Sequence, residues 1–345
     1  MSTTADNLTD PELLDAAWDL GALVNGDEEN GVVRQLDQAR ERSIAFAAAH
    51  AGRISELDAA GLAAAMRELA DINELVGKAG SYASLRFATD TADSTRGAML
   101  QLVQERATEI ETKLLFFELE WAAMDDDRAA ELGADERLSF CAHYLHSARR
   151  YRPHLLSEPE ETILAEKTIS AESAWARLFG ELVATLRVPV EDQDVPLDVA
   201  LSRLQDSNRD TRRTVAEAVT AALEPGLRTR AFIYNTLVYD KAVDDRLRYY
   251  PHWLASRNLA NEASDESVMA LVEAVRGRFD IPQRWYTLKA KLLGIDRLAD
   301  YDRSAPVLPE DVTFSYAESR ELVLDTYEAF SPDAGRVVRR FFDEQ

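Results

Sequence analysis

An all-α fold, with at most a small β hairpin near residues 187–197, is predicted by three observations. Apolar residues recur at helical spacing along most of the 345 residues. Helix-start signatures recur between these stretches, as in Ser157-Glu-Pro-Glu160 and Ser315-Tyr-Ala-Glu318. The breaks between them are short, which suits helices packed on helices.

Taken in order, Thr9 or Asp10 can cap a first short helix with Pro11 in its opening turn. Beyond the acidic loop 25–31, a helix over 31–50 has Val32, Leu36, Ala39 and Phe46 as its apolar face. The next carries Leu62, Met66, Leu69, Ile72 and Val76 toward Gly80. A polar turn over 88–94 precedes a long helix over 95–124, with Leu100, Val103, Ile110, Leu114 and Phe117 inward. An acidic break follows at 125–128, then a helix over 134–151 that Pro153 stops. Ser157 starts another, reaching about Thr168. Ser170 or Ser173 opens the next, with the stripe Trp175, Leu178, Phe179, Leu182 and Leu186.

Arg187-Val-Pro-Val190 and Asp194-Val-Pro-Leu197 are short, β-branched and proline-containing, which predicts a two-stranded edge element. A boundary near residue 195 divides the chain into lobes 1–195 and 196–345. Beyond it, a turn at 206–210 leads to Val215, Val219 and Leu223, and Glu224-Pro-Gly226 breaks the chain. Leu227, Ala231, Tyr234 and Leu237 continue in a helix, and Arg248-Tyr-Tyr-Pro251 is another break. Asp265 can cap the helix carrying Val268, Leu271, Val272, Val275 and Phe279.

The stretch 284–306 begins as a helix with Trp285, Leu288 and Leu292 on one face and Lys289 and Lys291 at its end. Gly294 and Ile295 suit a left-handed close, and turn chemistry runs on to Ala305-Pro306. Ser315 starts a helix with Leu322, Val323, Tyr327 and Phe330, and Ser331-Pro332 starts one with Val338, Phe341 and Phe342. Leu178, Leu182, Leu288 and Leu292 are expected in the core. A helix finishing on two phenylalanines would normally pack against something that follows, so the sequence reads as cut.

Composition excludes several function classes. The formal net charge of −23 repels nucleic acid, and no basic stripe offsets it. One cysteine, Cys141, permits no internal disulfide and agrees with a reducing compartment. The first ten residues lack the basic start and apolar core of a signal peptide. No apolar run approaches the roughly 20 residues of a membrane span. A cytoplasmic location is expected.

Chemistry is harder to place. None of the five histidines, His50, His143, His146, His154 and His252, is followed by Glu, so H-E-x-x-H is absent. Cys141, His143, His146 and His154 have metal-ligand types, but Cys141 and His143 cannot share a helix face. The spacing of Asp296, Asp300 and Asp302 lacks the glycine and terminal Glu of a calcium loop. The carboxylate pairs Glu109/Glu111, Glu118/Glu120 and Glu160/Glu161 point to different faces and read as solvated surface. Arg149, Arg150 and Arg152 suit either a peptide carboxylate or a helix C-terminus.

Four motifs carry a family resemblance: Tyr286-Thr-Leu-Lys-Ala-Lys-Leu-Leu-Gly-Ile-Asp296, Asp300-Tyr-Asp-Arg-Ser-Ala-Pro306, His154-Leu-Leu-Ser-Glu-Pro-Glu-Glu161 and Asp240-Lys241. In this order they resemble the oligoendopeptidase F and thimet oligopeptidase family of zinc metallopeptidases, from about Trp18 to the last residue. The resemblance implies hydrolysis of short peptides by zinc-activated water, with the Glu of H-E-x-x-H as base. In that family the motif and the remaining ligands lie beyond the point that corresponds to Gln345. It therefore implies an N-terminal portion that alone binds no catalytic zinc and cleaves nothing. It also implies a deep helical channel, whose wall Tyr249, Tyr250, Arg257, Asn261, Tyr301 and Arg303 could line. They could equally pack or face solvent. The alternative function is a non-catalytic helical protein that binds peptides or partners.

Overall fold

A computed structural model describes residues 19–91, 93–307 and 314–343. Thr9, Asp10 and Pro11 lie outside the described residues. Fifteen α-helices and one two-stranded sheet are found among those described. The chain forms two units, one of Leu23–Leu197 with Ala218–Trp285, the other of Met1–Ala22, Asp198–Glu217 and Tyr286–Gln345.

The core of the larger unit is built by α1 (Glu28–His50), α2 (Ala59–Thr89) and α3 (Ser94–Ala123). Each brings the stripe its sequence displays. Val32, Leu36 and Ala39 meet Leu62, Ile72 and Ile110 in full burial, and Phe46 packs on the rings of Phe116 and Phe117. Trp121 is 2% exposed, and its indole N–H donates to the Leu145 carbonyl at 2.7 Å, so burial leaves no orphan donor. Arg42 of α1 clamps Glu68 of α2 with two bonds of 2.7 and 2.8 Å and reaches Asp71 at 2.9 Å.

Local chemistry redraws several boundaries. Residues 125–128 are not a break. Asp125 caps α4 (Asp126–Gly133) by accepting from the Asp127 and Arg128 amides, and the acidic first turn suits the helix dipole. The helix expected over 134–151 is split. Asp135 accepts from the Arg137 amide, which favours a 3₁₀ turn at Glu136–Leu138, and α5 is only Ala142–Arg150. Ser157 starts α6 (Glu158–Thr168) as expected, its amide donating to Glu160 Oε2 at 3.0 Å. Neither Ser170 nor Ser173 caps α7 (Glu172–Ala184). Ala171 stands there, and the Ser170 hydroxyl instead bonds the Lys167 carbonyl.

β1 (Arg187–Val190) pairs antiparallel with β2 (Gln193–Pro196) through Val188↔Val195 and Val190↔Gln193. This register buries Val188 and Val190, and Glu191 makes the turn with φ +55°. The short helix α8 (Leu197–Ser202) was not legible in the sequence. α9 (Arg209–Leu223) buries Val215 and Val219, and α10 (Leu227–Leu247) packs beside α7 with Phe232 edge-on to Trp175. α11 (Ala255–Ala260) is likewise unanticipated. Ser264, not Asp265, caps α12 (Asp265–Arg276), because the Asp265 carboxylate is held by Asn258 and His252. α13 (Asp280–Leu292) ends as expected. Gly294 has φ +68°, and the Ile295 amide closes on the Ala290 carbonyl at 3.0 Å. α14 (Tyr316–Phe330) has the full Ser315/Glu318 capping box, and α15 (Pro332–Asp343) follows after Ser331 alone.

The principal correction concerns the later stripes. Leu178 is 37% exposed, Leu288 49% and Leu292 56%, and Leu182 is half-buried. Leu227, Tyr234, Leu271, Val275, Leu322 and Tyr327 also face solvent. The inward residue is Ile233 on α10, Lys289 on α13 and Leu324 on α14. Periodicity marks the apolar side of a helix. It does not say that a neighbour covers that side. Ile110→Ala should therefore cost about 2–5 kcal/mol, whereas Leu292→Ala should shift stability by less than about 1 kcal/mol. Parallel urea titrations check this, and equal losses would return Leu292 to the core.

Candidate functional site

The sequence-picked residues fall into two groups, one in each unit. In the larger unit the group is set by the end of α10. Arg248 follows that helix and donates to both oxygens of Glu161, from Nη1 at 2.7 Å and Nη2 at 2.8 Å. Its Nε reaches Asp244 at 2.9 Å. Glu161 is buried and also accepts from the Leu156 amide at 2.9 Å. Burial raises the Glu161 carboxyl, but the bonds from Arg248 and Leu156 outweigh it and hold the group below the usual range. The His154 ring stacks on Tyr250 with centroids 4.0 Å apart. Its Nδ1 donates to the Arg248 carbonyl at 2.8 Å, and because a carbonyl only accepts, the tautomer is fixed.

This clamp aims the segment that follows. Tyr249 takes a left-handed φ of +59° and is 77% exposed. Arg257 and Asn261 are exposed on and after α11. Tyr250 is occupied by its stacking on His154, so it supports Tyr249 rather than presenting itself. Lys241 bonds Asp245 at 2.6 Å and Ser256 at 3.2 Å, tying α10 to α11. At the far end, Glu262 accepts from His143 Nε2 at 2.9 Å and from Ser147 at 2.7 Å.

In the smaller unit, Tyr301 sits on the 3₁₀ turn Asp300–Asp302 and Arg303 directly follows it. Asp302 is fully buried. It accepts from Arg209 Nη2 and Arg212 Nη2, each at 2.9 Å, and from the Ala299 amide at 2.9 Å. Burial raises its carboxyl, but these donors prevail and bring it down to about 2. Buried Lys289 donates to the Arg303 carbonyl at 2.7 Å, and the Arg209 guanidinium lies 5.7 Å from the Tyr301 ring centre. Arg303 is exposed and Tyr301 half-buried.

The residues that do this holding, Glu161, Arg248, Asp302, Arg209, Arg212 and Lys289, were not singled out from the sequence as site residues. Three of them stand inside the stretches that carry the family resemblance. Buried Glu161 and Asp302 are the acidic members of two motifs, and Lys289 lies in a third.

Metal fits poorly. Cys141 is buried with its thiol raised by burial, His143 is engaged by Glu262, and His154 by the clamp. Among the described residues no group of three or more His, Cys, Asp or Glu side chains is placed to hold an ion. Two open clefts belong to the larger unit. One, of ≈ 500 Å3, is lined by Phe116, Leu119, Arg152 and Leu156, and the other, of ≈ 440 Å3, by Arg228, Phe232 and Asn235. Arg152, one of the arginines weighed for a peptide carboxylate, lines the first, whereas Tyr249, Tyr250, Arg257, Asn261, Tyr301 and Arg303 line neither.

Residues 120–187 match the family model described as Oligopeptidase F. Over most of its length the chain is similar to proteins named oligopeptidases or oligoendopeptidase F. Group B oligopeptidase PepB of Streptococcus agalactiae is 25% identical over 350 residues, covering 95% of this chain. Oligopeptidase PepF of Bacillus subtilis is 22% identical over 262 residues, covering 73% of it. The chain spans 55% and 39% of the length of these two relatives. Among solved structures, oligoendopeptidase-F from Enterococcus faecium superposes with a TM-score of 0.71 at 18% identity, over 92% of this chain and 66% of that one. PZ peptidase A superposes with 0.69 at 15% identity. At these identities the superpositions speak for the fold. No helix among the described residues is long and apolar enough to cross a membrane.

Proposed function

We propose that this chain is the substrate-facing helical part of a zinc-dependent oligopeptidase acting on short peptides. Catalysis then requires a polypeptide equivalent to the part of the relatives that this chain does not match, and the H-E-x-x-H motif belongs there. The observation that carries the proposal is the alignment of 95% of the chain with a protein named an oligopeptidase. The clamped segment supports it. There Arg257 offers a guanidinium group to a peptide carboxylate, Asn261 an amide to peptide backbone, and Tyr249 an aromatic face. Among the described residues none is placed to hold the metal, so no bond-breaking step is assigned to them.

Hydrolysis of a quenched fluorescent peptide, with metal content after dialysis, tests this. The chain alone should retain no stoichiometric zinc and cleave nothing. Together with the motif-bearing polypeptide it should gain both, and lose both on chelation. Zinc-dependent turnover by the 345-residue chain alone would place the site within these residues and overturn the reading. In the active assembly, Arg257→Ala should raise KM about tenfold, equivalent to about 1.4 kcal/mol, with a smaller change in kcat. An unchanged KM would remove Arg257 from the peptide site.

A further inference from the structure

The helical hairpin α14–α15 has an open apolar flank. The two helices run antiparallel, with Tyr316 against Phe342 and Glu328 against Gly335. A Cβ on Gly335 would stand 2.9 Å from the Glu328 Cα, so the crossing is close enough to require glycine there. Leu324 and Gly335 thus define the sides that face each other, and both are buried. Counted at about 100° per residue from Leu324, the residues Val323, Tyr327 and Phe330 form a stripe along one flank of α14. Counted likewise from Gly335, Val337 and Val338 lie along one flank of α15. Because the helices are antiparallel, the two flanks lie on the same side of the hairpin. That side is open: Val323 is 36% exposed, Tyr327 47%, Phe330 84% and Val337 54%. Arg336 lies on the opposite side of α15 and pairs with Asp333.

We propose that this side of the hairpin is a docking surface for an amphipathic helix of the polypeptide equivalent to the unmatched part of the relatives. The inference rests on the functional reading above and adds where that polypeptide binds. Two neighbouring helices leave a groove that a third helix fills with its apolar face. A contiguous run of five apolar side chains on two adjacent helices exceeds the scattered exposure normal for a surface. The relatives have the extra length to supply the occupant, since this chain spans 55% of PepB and 66% of the solved Enterococcus faecium chain. A second copy of this chain is the weaker occupant, because each copy carries a formal net charge of −23 and the two would repel.

The test places the photo-crosslinker p-benzoylphenylalanine at position 330, 337 or 336 of the full chain, expressed in its own cells, and identifies cross-linked peptides by mass spectrometry. Positions 330 and 337 should capture a peptide aligning with the unmatched part of the relatives, at least about tenfold more than position 336. Here a tenfold preference corresponds to about 1.4 kcal/mol. Capture only of a second copy of this chain, equal capture from 336, or no capture from 330 and 337 would each overturn the proposal. Circular dichroism melts confirm that all three variants are folded. Capture at the hairpin by a complex that shows no zinc-dependent hydrolysis would leave the docking surface standing and sink the functional reading. Hydrolysis without capture would do the reverse.

Discussion

Asp302→Ala should cost about 3–5 kcal/mol, the range for removing one partner of a buried ion pair. The cost comes from what remains. Arg212 is 2% exposed and its Nε has no partner, so without Asp302 a buried guanidinium keeps only the carbonyls of Asp206 and Ser207 as acceptors. Lys289 is buried in the same cluster, its amine pushed down by burial and by Arg212, which adds to the uncompensated charge. Asp302→Ala combined with Arg212→Met should therefore recover part of the loss, a non-additivity expected only of residues in one network. The acid limb of the stability profile carries the same signature. The Asp302 carboxyl is depressed in the folded state, to about 2 from an ordinary value of 3.8. Its contribution, about 2 kcal/mol, is complete above pH 3.8 and is lost as pH falls through 2. Subtracting the Asp302→Asn profile from that of the parent isolates this component. Hydrogen exchange over residues 296–306 locates it. Unchanged stability and unchanged exchange would mean that Arg209 and Arg212 do not depend on Asp302.

This cluster shows where sequence reading stops. Helices α1 to α3 were legible because their partners are each other, and each stripe found a cover. The capping boxes at Ser157 and Ser315 were legible because their chemistry is local. Asp302 was weighed only as a calcium ligand. Its true partners, Arg209 and Arg212, lie about ninety residues earlier, and no spacing rule reaches that far. Gly294 was read correctly from local chemistry, while Leu288 and Leu292 in the same stretch were not, because burial depends on what is packed alongside. Of the site candidates, Tyr249, Arg257, Asn261 and Arg303 do face solvent, Tyr301 is half-buried, and the structure assigns Tyr250 to the clamp. Motif order pointed to these stretches but did not separate the residues that are presented from those that hold them.

The second large effect is expected at Arg248. Arg248→Met should cost about 3–5 kcal/mol, since it leaves Glu161 buried with only the Leu156 amide as donor. Arg248→Lys is not a conservative change here. A lysine amine is a point charge and cannot reproduce two parallel bonds to Glu161 together with the third to Asp244. It should lose about 1–3 kcal/mol. Glu161→Gln keeps the shape but weakens a charge-assisted pair, and should fall within the same range. The consequence reaches the candidate peptide site. The Arg248 carbonyl fixes His154, the His154 ring stacks on Tyr250, and Tyr249 between them holds a left-handed backbone that costs on the order of 1–3 kcal/mol for a residue with a side chain. Once the clamp is released, that strain favours rearrangement, and residues 249–261 should exchange amide hydrogens at least tenfold faster. His154→Ala separates the two effects. It removes the stacking and one hydrogen bond while leaving the Glu161 pair intact, so it should loosen residues 249–261 with a smaller loss of global stability. If Arg248→Met lowers the unfolding midpoint but leaves exchange over 249–261 unchanged, the clamp serves the fold alone, and the orientation of Tyr249, Arg257 and Asn261 is set elsewhere.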